Sequence, residues 1–150
     1  MHLLSDRAIV LCLVLSISPN VHAGLYADDL SGCLVESATV KDKSNLTRWI
    51  FSAAALHPAV SSIVSITEEE RDAADKVTAE LFVKLLIESC KEQAQKAVKY
   101  EGQVAIRTAF QVLGQVAAAE LFASPKVKAG MDNLDKHFDK KIFQETFGKK

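Results

Sequence analysis

The sequence lacks an apolar run long enough to cross a bilayer: its longest, Ala8–Leu15, reaches about half of the ~20 residues that a spanning helix needs. It also lacks an excess of either charge. Eighteen Lys and Arg stand against nineteen Asp and Glu, a formal net charge of −1, so the basic surplus of a nucleic-acid binder is missing. Sustained alternation of apolar and polar residues is absent, as is any Asn-Gly or Asp-Gly pair, and with them the main signals for strands and hairpins. What is present excludes disorder. Of the 150 residues, 49% are hydrophobic and seven are Phe, enough for one ordinary domain and too few for two large ones.

The apolar run at the start reads as a targeting segment. Arg7 precedes Ala8–Leu15, and Ser16-Ile17-Ser18-Pro19-Asn20 then leads to Val21-His22-Ala23, with residues of modest size at the −3 and −1 positions. That is the order of a secretory signal peptide, cut after Ala23. Asp6 beside Arg7 weakens the positive start. Gly24, not Cys, follows the cut, and Cys12 stands behind Leu11, so a lipoprotein anchor is not expected. The expected organisation is a signal peptide at 1–23 and an all-α domain at 24–150, exported to the periplasm of a Gram-negative cell in preference to the medium, with no stable membrane anchor after cleavage.

Removing 1–23 takes away Asp6 and Arg7 together and leaves the charge unchanged. It also takes Cys12, and three cysteines become two. In an oxidising compartment the natural pairing is Cys33–Cys90. The alternatives are two buried free thiols or a redox pair, the latter disfavoured because no C-x-x-C is present. Closing a loop of nearly sixty residues restricts the unfolded chain by about 4 kcal/mol on the chain-entropy account.

The rest reads as helix. Leu30, Cys33 and Leu34 predict a first helix over about 27–38. Leu46, Trp49, Ile50, Ala53 and Leu56 predict a second over about 43–57, widened by Phe51 and ended by His57-Pro58, because a proline disfavours helical geometry in the residue before it. Thr67-Glu68-Glu69-Glu70 is a capping box, with three glutamates at the positive end of the helix dipole. From it one long central helix is predicted to run to about Lys99, carrying Val77, Leu81 and Leu85 on one stripe and Ala79, Val83, Leu86, Cys90, Ala94 and Ala97 on another, with neighbours on both sides. Lys84 at i+4 from Glu80 and i−4 from Glu88 predicts a charged edge.

Gly102 breaks the pattern. A fourth helix, about 103–123, buries Ile106, Ala109, Phe110, Leu113, Val116, Ala117 and Leu121, and Gly114 with Ala118 allows a close approach to another backbone. Ser124-Pro125 starts the last, carrying Val127, Met131, Leu134 and Phe138 past Gly130. The expected fold is a single-domain, all-α bundle of about five helices, stapled by one disulfide. Beyond it, Ile142, Phe143 and Phe147 either dock back onto the bundle or form an exposed anchor for a partner or a membrane surface.

Catalytic signatures are missing. There is no G-x-S-x-G, S-x-x-K, P-loop, G-x-G-x-x-G or H-E-x-x-H, and no calcium loop. His57 is expected to sit at the negative end of the second helix, and His137 in a solvated charged segment. With both cysteines oxidised, two distant histidines do not make a zinc site, and Glu68, Glu69, Glu70 and Asp72 are accounted for by a helix start. Asn45-Leu46-Thr47 fits the glycosylation triplet by coincidence, since Leu46 opens an apolar helical face. No cofactor, metal or nucleic-acid partner is expected.

The resulting expectation is an exported, non-enzymatic protein that binds another protein, in the manner of an inhibitor, immunity or assembly factor, through Ile142, Phe143 and Phe147. The alternative is a carrier of a small apolar ligand or lipid, with Trp49, Phe51, Phe82, Phe110 and Phe122 lining an interhelical pocket. A hydrolase using two of Glu36, Glu80, Glu88 and Glu120 comes third.

Overall fold

Helical periodicity interrupted by Pro58, Gly102 and Pro125 becomes, in a computed structural model describing residues 24–148, eight α-helices among the described residues. They are α1 (Leu25–Ser37), α2 (Val40–Ala54), α3 (Pro58–Ser61), α4 (Glu68–Val83), α5 (Lys91–Glu101), α6 (Gln103–Phe122), α7 (Pro125–Asp132) and α8 (Lys140–Phe147). A π-helical segment, Lys84–Ser89, joins α4 to α5, and a 3₁₀ turn, Asn133–His137, follows α7. The all-α, single-domain, disulfide-bonded bundle stands, but the expected count of about five helices is corrected. The three extra helices have separate causes: Pro58 nucleates α3 in the connector, the 67–99 segment divides, and the C-terminal segment divides at the 3₁₀ turn.

The division within 67–99 replaces the expected long central helix. The buried residues of that segment are Ala74, Thr78, Leu81, Leu85, Cys90, Ala94 and Ala97. Their spacing is helical except for the five-residue step from Leu85 to Cys90, where the Cys90 amide donates to the Leu85 carbonyl at 2.8 Å. An i→i+5 bond is the π-helical one, and the wide turn absorbs the extra residue so that both halves keep their apolar side on the core. Cys90 itself leaves helical geometry, at φ −122° and ψ 28°. It is fully buried and bonded to Cys33, with the two Cα atoms 5.9 Å apart.

The central element is α6, packed by α1, α2 and α5. Ala105, Ala109, Leu113 and Ala117 recur every fourth residue and are buried, a narrow ridge that admits Ala27, Leu30 and Leu34 of α1 closely. Leu30, Leu34, Leu85 and Leu113 are fully buried, each stabilising the fold by roughly 1.5–3 kcal/mol before the entropy of ordering the chain is counted. Ser31 lies among them and satisfies its hydroxyl on the Ala27 carbonyl at 2.6 Å. Gly114 faces Ile50 of α2, where an added Cβ would meet its Cδ1 at 4.0 Å, ordinary contact and not the exclusion of side chains that the Gly114–Ala118 spacing suggested.

Local signals behave as their chemistry requires, with corrections at several positions. The Thr67 amide donates to Glu70 at 2.9 Å and the Glu70 amide to the Thr67 hydroxyl at 3.2 Å, closing the expected capping box. A second box, Thr39 with Asp42, starts α2 three residues earlier than expected. His57 does not cap α2: its Nδ1 accepts the Ala59 amide at 3.2 Å and so caps α3. Lys84 pairs with neither Glu80 nor Glu88 but reaches Asp42 at 3.6 Å. Leu56, beyond the end of α2, is exposed, as are Val77, Ala79 and Val83 of the supposed central helix.

Asp42 gives a pH-dependent test. Burial raises its carboxyl, but hydrogen bonds from the Thr39 amide and hydroxyl, together with Lys84, hold it below the ordinary aspartate range. A depressed carboxyl contributes stability above its unfolded value that is lost as pH falls through its folded one. Asp42→Asn is expected to cost roughly 1 kcal/mol at pH 7, in line with a lost cap, and the deficit to shrink as pH drops below about 4. Urea melts of both chains at pH 7 and pH 3 measure it, and a deficit that stays constant would refute the account.

Candidate functional site

The residues from Pro125 onward form an arm. Pro125 sets the first turn of α7, which touches only the end of α6, and no residue of α7, the 3₁₀ turn or α8 is buried. The apolar stripe expected there is not buried. Met131, in helical register with Val127 inside α7, and Leu134, in the 3₁₀ turn, are both exposed.

Asp139 restarts the helix. Its carboxylate accepts the Lys141 amide at 2.9 Å and the Ile142 amide at 3.3 Å, which caps α8. At 100° per residue Ile142, Phe143, Thr146 and Phe147 fall on one face and Lys140, Lys141, Gln144 and Glu145 on the other. Phe138, Phe143 and Phe147 make a chain of rings with centroids 5.3 and 5.7 Å apart. The rings shield one another only in part: Phe143 remains 50% and Phe147 75% exposed. α8 forms no packed interface with the bundle, so the docked arrangement is not the one seen.

The residues suggested for a ligand pocket do not share one cavity. Trp49, Phe82 and Phe110 pack on each other and on the core, with ring centroids 6.1 and 4.1 Å apart, and the Trp49 indole donates to Asp75 at 2.7 Å. Phe51 is exposed and lines an open groove of about 490 Å³ between α2 and α4, with Arg48, Ile66 and Val77. Phe122 is exposed at the end of α6.

The four carboxylates singled out for hydrolysis are also dispersed. Glu36, Glu80 and Glu88 are exposed on three different segments, and Glu120 is engaged by Lys43 at 2.9 Å. Among the described residues no group of three or more His, Cys, Asp or Glu is placed to hold a metal, and no helix is long and apolar enough to cross a membrane. Thr78 carries the one buried side-chain polar atom among them without a hydrogen-bond partner. A lone hydroxyl in an apolar interface lowers stability and supplies no acid–base pair.

No protein-family model matches the chain, and no curated protein or solved structure shows significant similarity to it.

The site that sequence reasoning missed lies between α5 and α6. Lys91, Lys99 and Arg107 edge an open, apolar groove of about 750 Å³. The groove was legible only with the π turn in hand, because that turn leaves Ile87 outside the core while Leu85 enters it.

Proposed function

We propose that the chain is an exported, non-enzymatic binding protein: residues 1–23 direct it out of the cytoplasm and are removed, and the stapled bundle presents its C-terminal arm to a partner protein. The bundle completes its own core without the arm, while the arm holds three aromatic rings and Ile142 together in water. That single observation carries the reading, since exposed apolar clusters of this kind mark interaction surfaces. The Cys33–Cys90 bridge supports an oxidising compartment, and the targeting pattern supports the periplasm.

A photo-crosslinking residue at 143 or 147, introduced in the exporting cell, is expected to give one discrete adduct with another protein. The same residue at the exposed Gln111 of α6 is expected to give none. Phe138→Asp is expected to abolish the adduct while changing stability by no more than about 0.5 kcal/mol, because Phe138 touches nothing in the core. Adducts at 111 with none at 143 or 147 would refute the arm as the binding surface.

A further inference from the structure

The groove between α5 and α6 has a floor of Leu86, Ile87, Ala94, Val98 and Ile106. Its charged edge is of one sign, Lys91, Lys99 and Arg107, with Gln95 and Gln103 as the other polar lining. The four ion pairs among the described residues involve none of these three cations. Lys99 instead rests over the ring of Tyr100, 4.9 Å from its centroid. The cations are also distributed. Lys91 stands at one end of α5 and Lys99 eight residues on, about 12 Å along the axis, with Arg107 beyond Gly102 on the returning helix.

We infer that this groove docks an acidic amphipathic helix of a partner protein, its apolar stripe on Ile87, Val98 and Ile106 and its carboxylates on the cations at the two ends. Charge decides against the nearest alternative within the chain: α8 of a second copy offers a suitable apolar face but brings Lys140 and Lys141 toward Lys99 and Arg107. Shape decides against a fatty acid. Sites for small molecules bury roughly 70–90% of the ligand, whereas this floor is shallow, with Ile87 60% and Val98 44% exposed, and a fatty acid has one charged end for a groove with cations at both. A helix of about two turns, with an acid near each end, matches the length and the sign of the groove. The inference rests on the binding reading above but uses a different surface.

The test uses the full mature chain with its disulfide intact and a fluorescein-labelled synthetic helix of leucines at i, i+3, i+4 and i+7 flanked by glutamates. A second peptide replaces every glutamate by lysine. Fluorescence anisotropy is expected to show the acidic peptide bound at least roughly tenfold more tightly than the basic one. Lys91→Gln, Lys99→Gln and Arg107→Gln together are expected to erase that preference, Ile87→Asp to weaken the acidic peptide, and Phe143→Asp in the arm to leave both unchanged. Equal binding of the two peptides, or a preference that survives the triple variant, overturns the proposal. Displacement of the acidic peptide by sodium oleate or phosphatidylglycerol vesicles, dependent on the same three cations, overturns it in favour of a lipid. Because the arm variant and the groove variants are read separately, a failure of the groove is distinguished from a failure of the arm.

Discussion

Replacing Cys33 and Cys90 together by alanine is expected to lower the stability of the bundle by about 4 kcal/mol, the loop-closure entropy returned to the unfolded chain when a cross-link of this span is removed. The two residues are 57 apart in sequence, and the bridge ties α1 to the junction of the π segment and α5. Alanine suits the test better than serine because Cys90 is fully buried in the apolar core, where a serine hydroxyl would be left to find a partner. Domains of this size have a total stability of about 5–15 kcal/mol, so the loss is a large fraction of the whole. Equilibrium urea unfolding measures it, and reduction of the native protein is expected to reproduce most of it. The largest loss of amide protection should fall on Lys84–Ser89 and the first turn of α5, the segment that the bridge anchors to α1. A change below about 1 kcal/mol would mean that core packing alone positions Cys90, and that the entropic account fails here.

The π segment explains how far the fold was legible in the sequence. Thr67-Glu70, Pro58, Gly102 and Ser124-Pro125 each act through chemistry local to a few residues, so the boundaries they set follow from the residue types. Gly102 adopts a positive φ of 77°, which a glycine accommodates without strain. The apolar stripes of α1 and α6 were legible for the same reason. The 67–99 segment was not, because Leu85, Leu86 and Ile87 are all apolar and a continuous helix can be drawn through any of them. Only the partner across the disulfide selects Leu85 and Cys90, and with them the five-residue step. The arm failed differently. Its apolar residues keep roughly helical spacing, but the 3₁₀ turn at Asn133–His137 ends the α-helix before Leu134 and Phe138 and breaks the common face that docking would need. Thr39-Val40-Lys41-Asp42 is an equally readable signal, since a threonine followed three residues on by an acid forms the same reciprocal cap as Thr67 with Glu70.

Glu101 is expected to contribute about half as much as the bridge, and its role had no local signal at all. α1 has Gly24 at its N-cap and so no side-chain cap of its own. Its first amides are instead met from the far end of α5: the Tyr26 amide donates to Glu101 Oε1 at 2.9 Å and the Ala27 amide to Oε2 at 3.0 Å. A carboxylate at a helix N-terminus also faces the positive end of the dipole. Beside it, the Tyr26 and Tyr100 rings stack with centroids 4.6 Å apart. Glu101→Ala is expected to cost about 2 kcal/mol, the range for losing hydrogen bonds to a charged acceptor at a helix start, and Glu101→Gln about half of that because one acceptor oxygen remains. Gly24 belongs to the same contact, since a Cβ there would overlap the Glu101 carboxylate. Gly24→Ala is therefore expected to displace that carboxylate and lose a similar amount, and the double variant Gly24→Ala/Glu101→Ala to cost little more than either change alone. Additive losses in urea melts would separate the two residues and refute the shared contact. Cleavage after Ala23, as proposed, places the new α-ammonium of Gly24 at a helix end that disfavours positive charge and beside the Glu101 carboxylate, which can offset it. Glu101→Ala should thus destabilise the chain beginning at Gly24 more than the uncleaved chain, and equal losses in the two would disconnect the contact from processing.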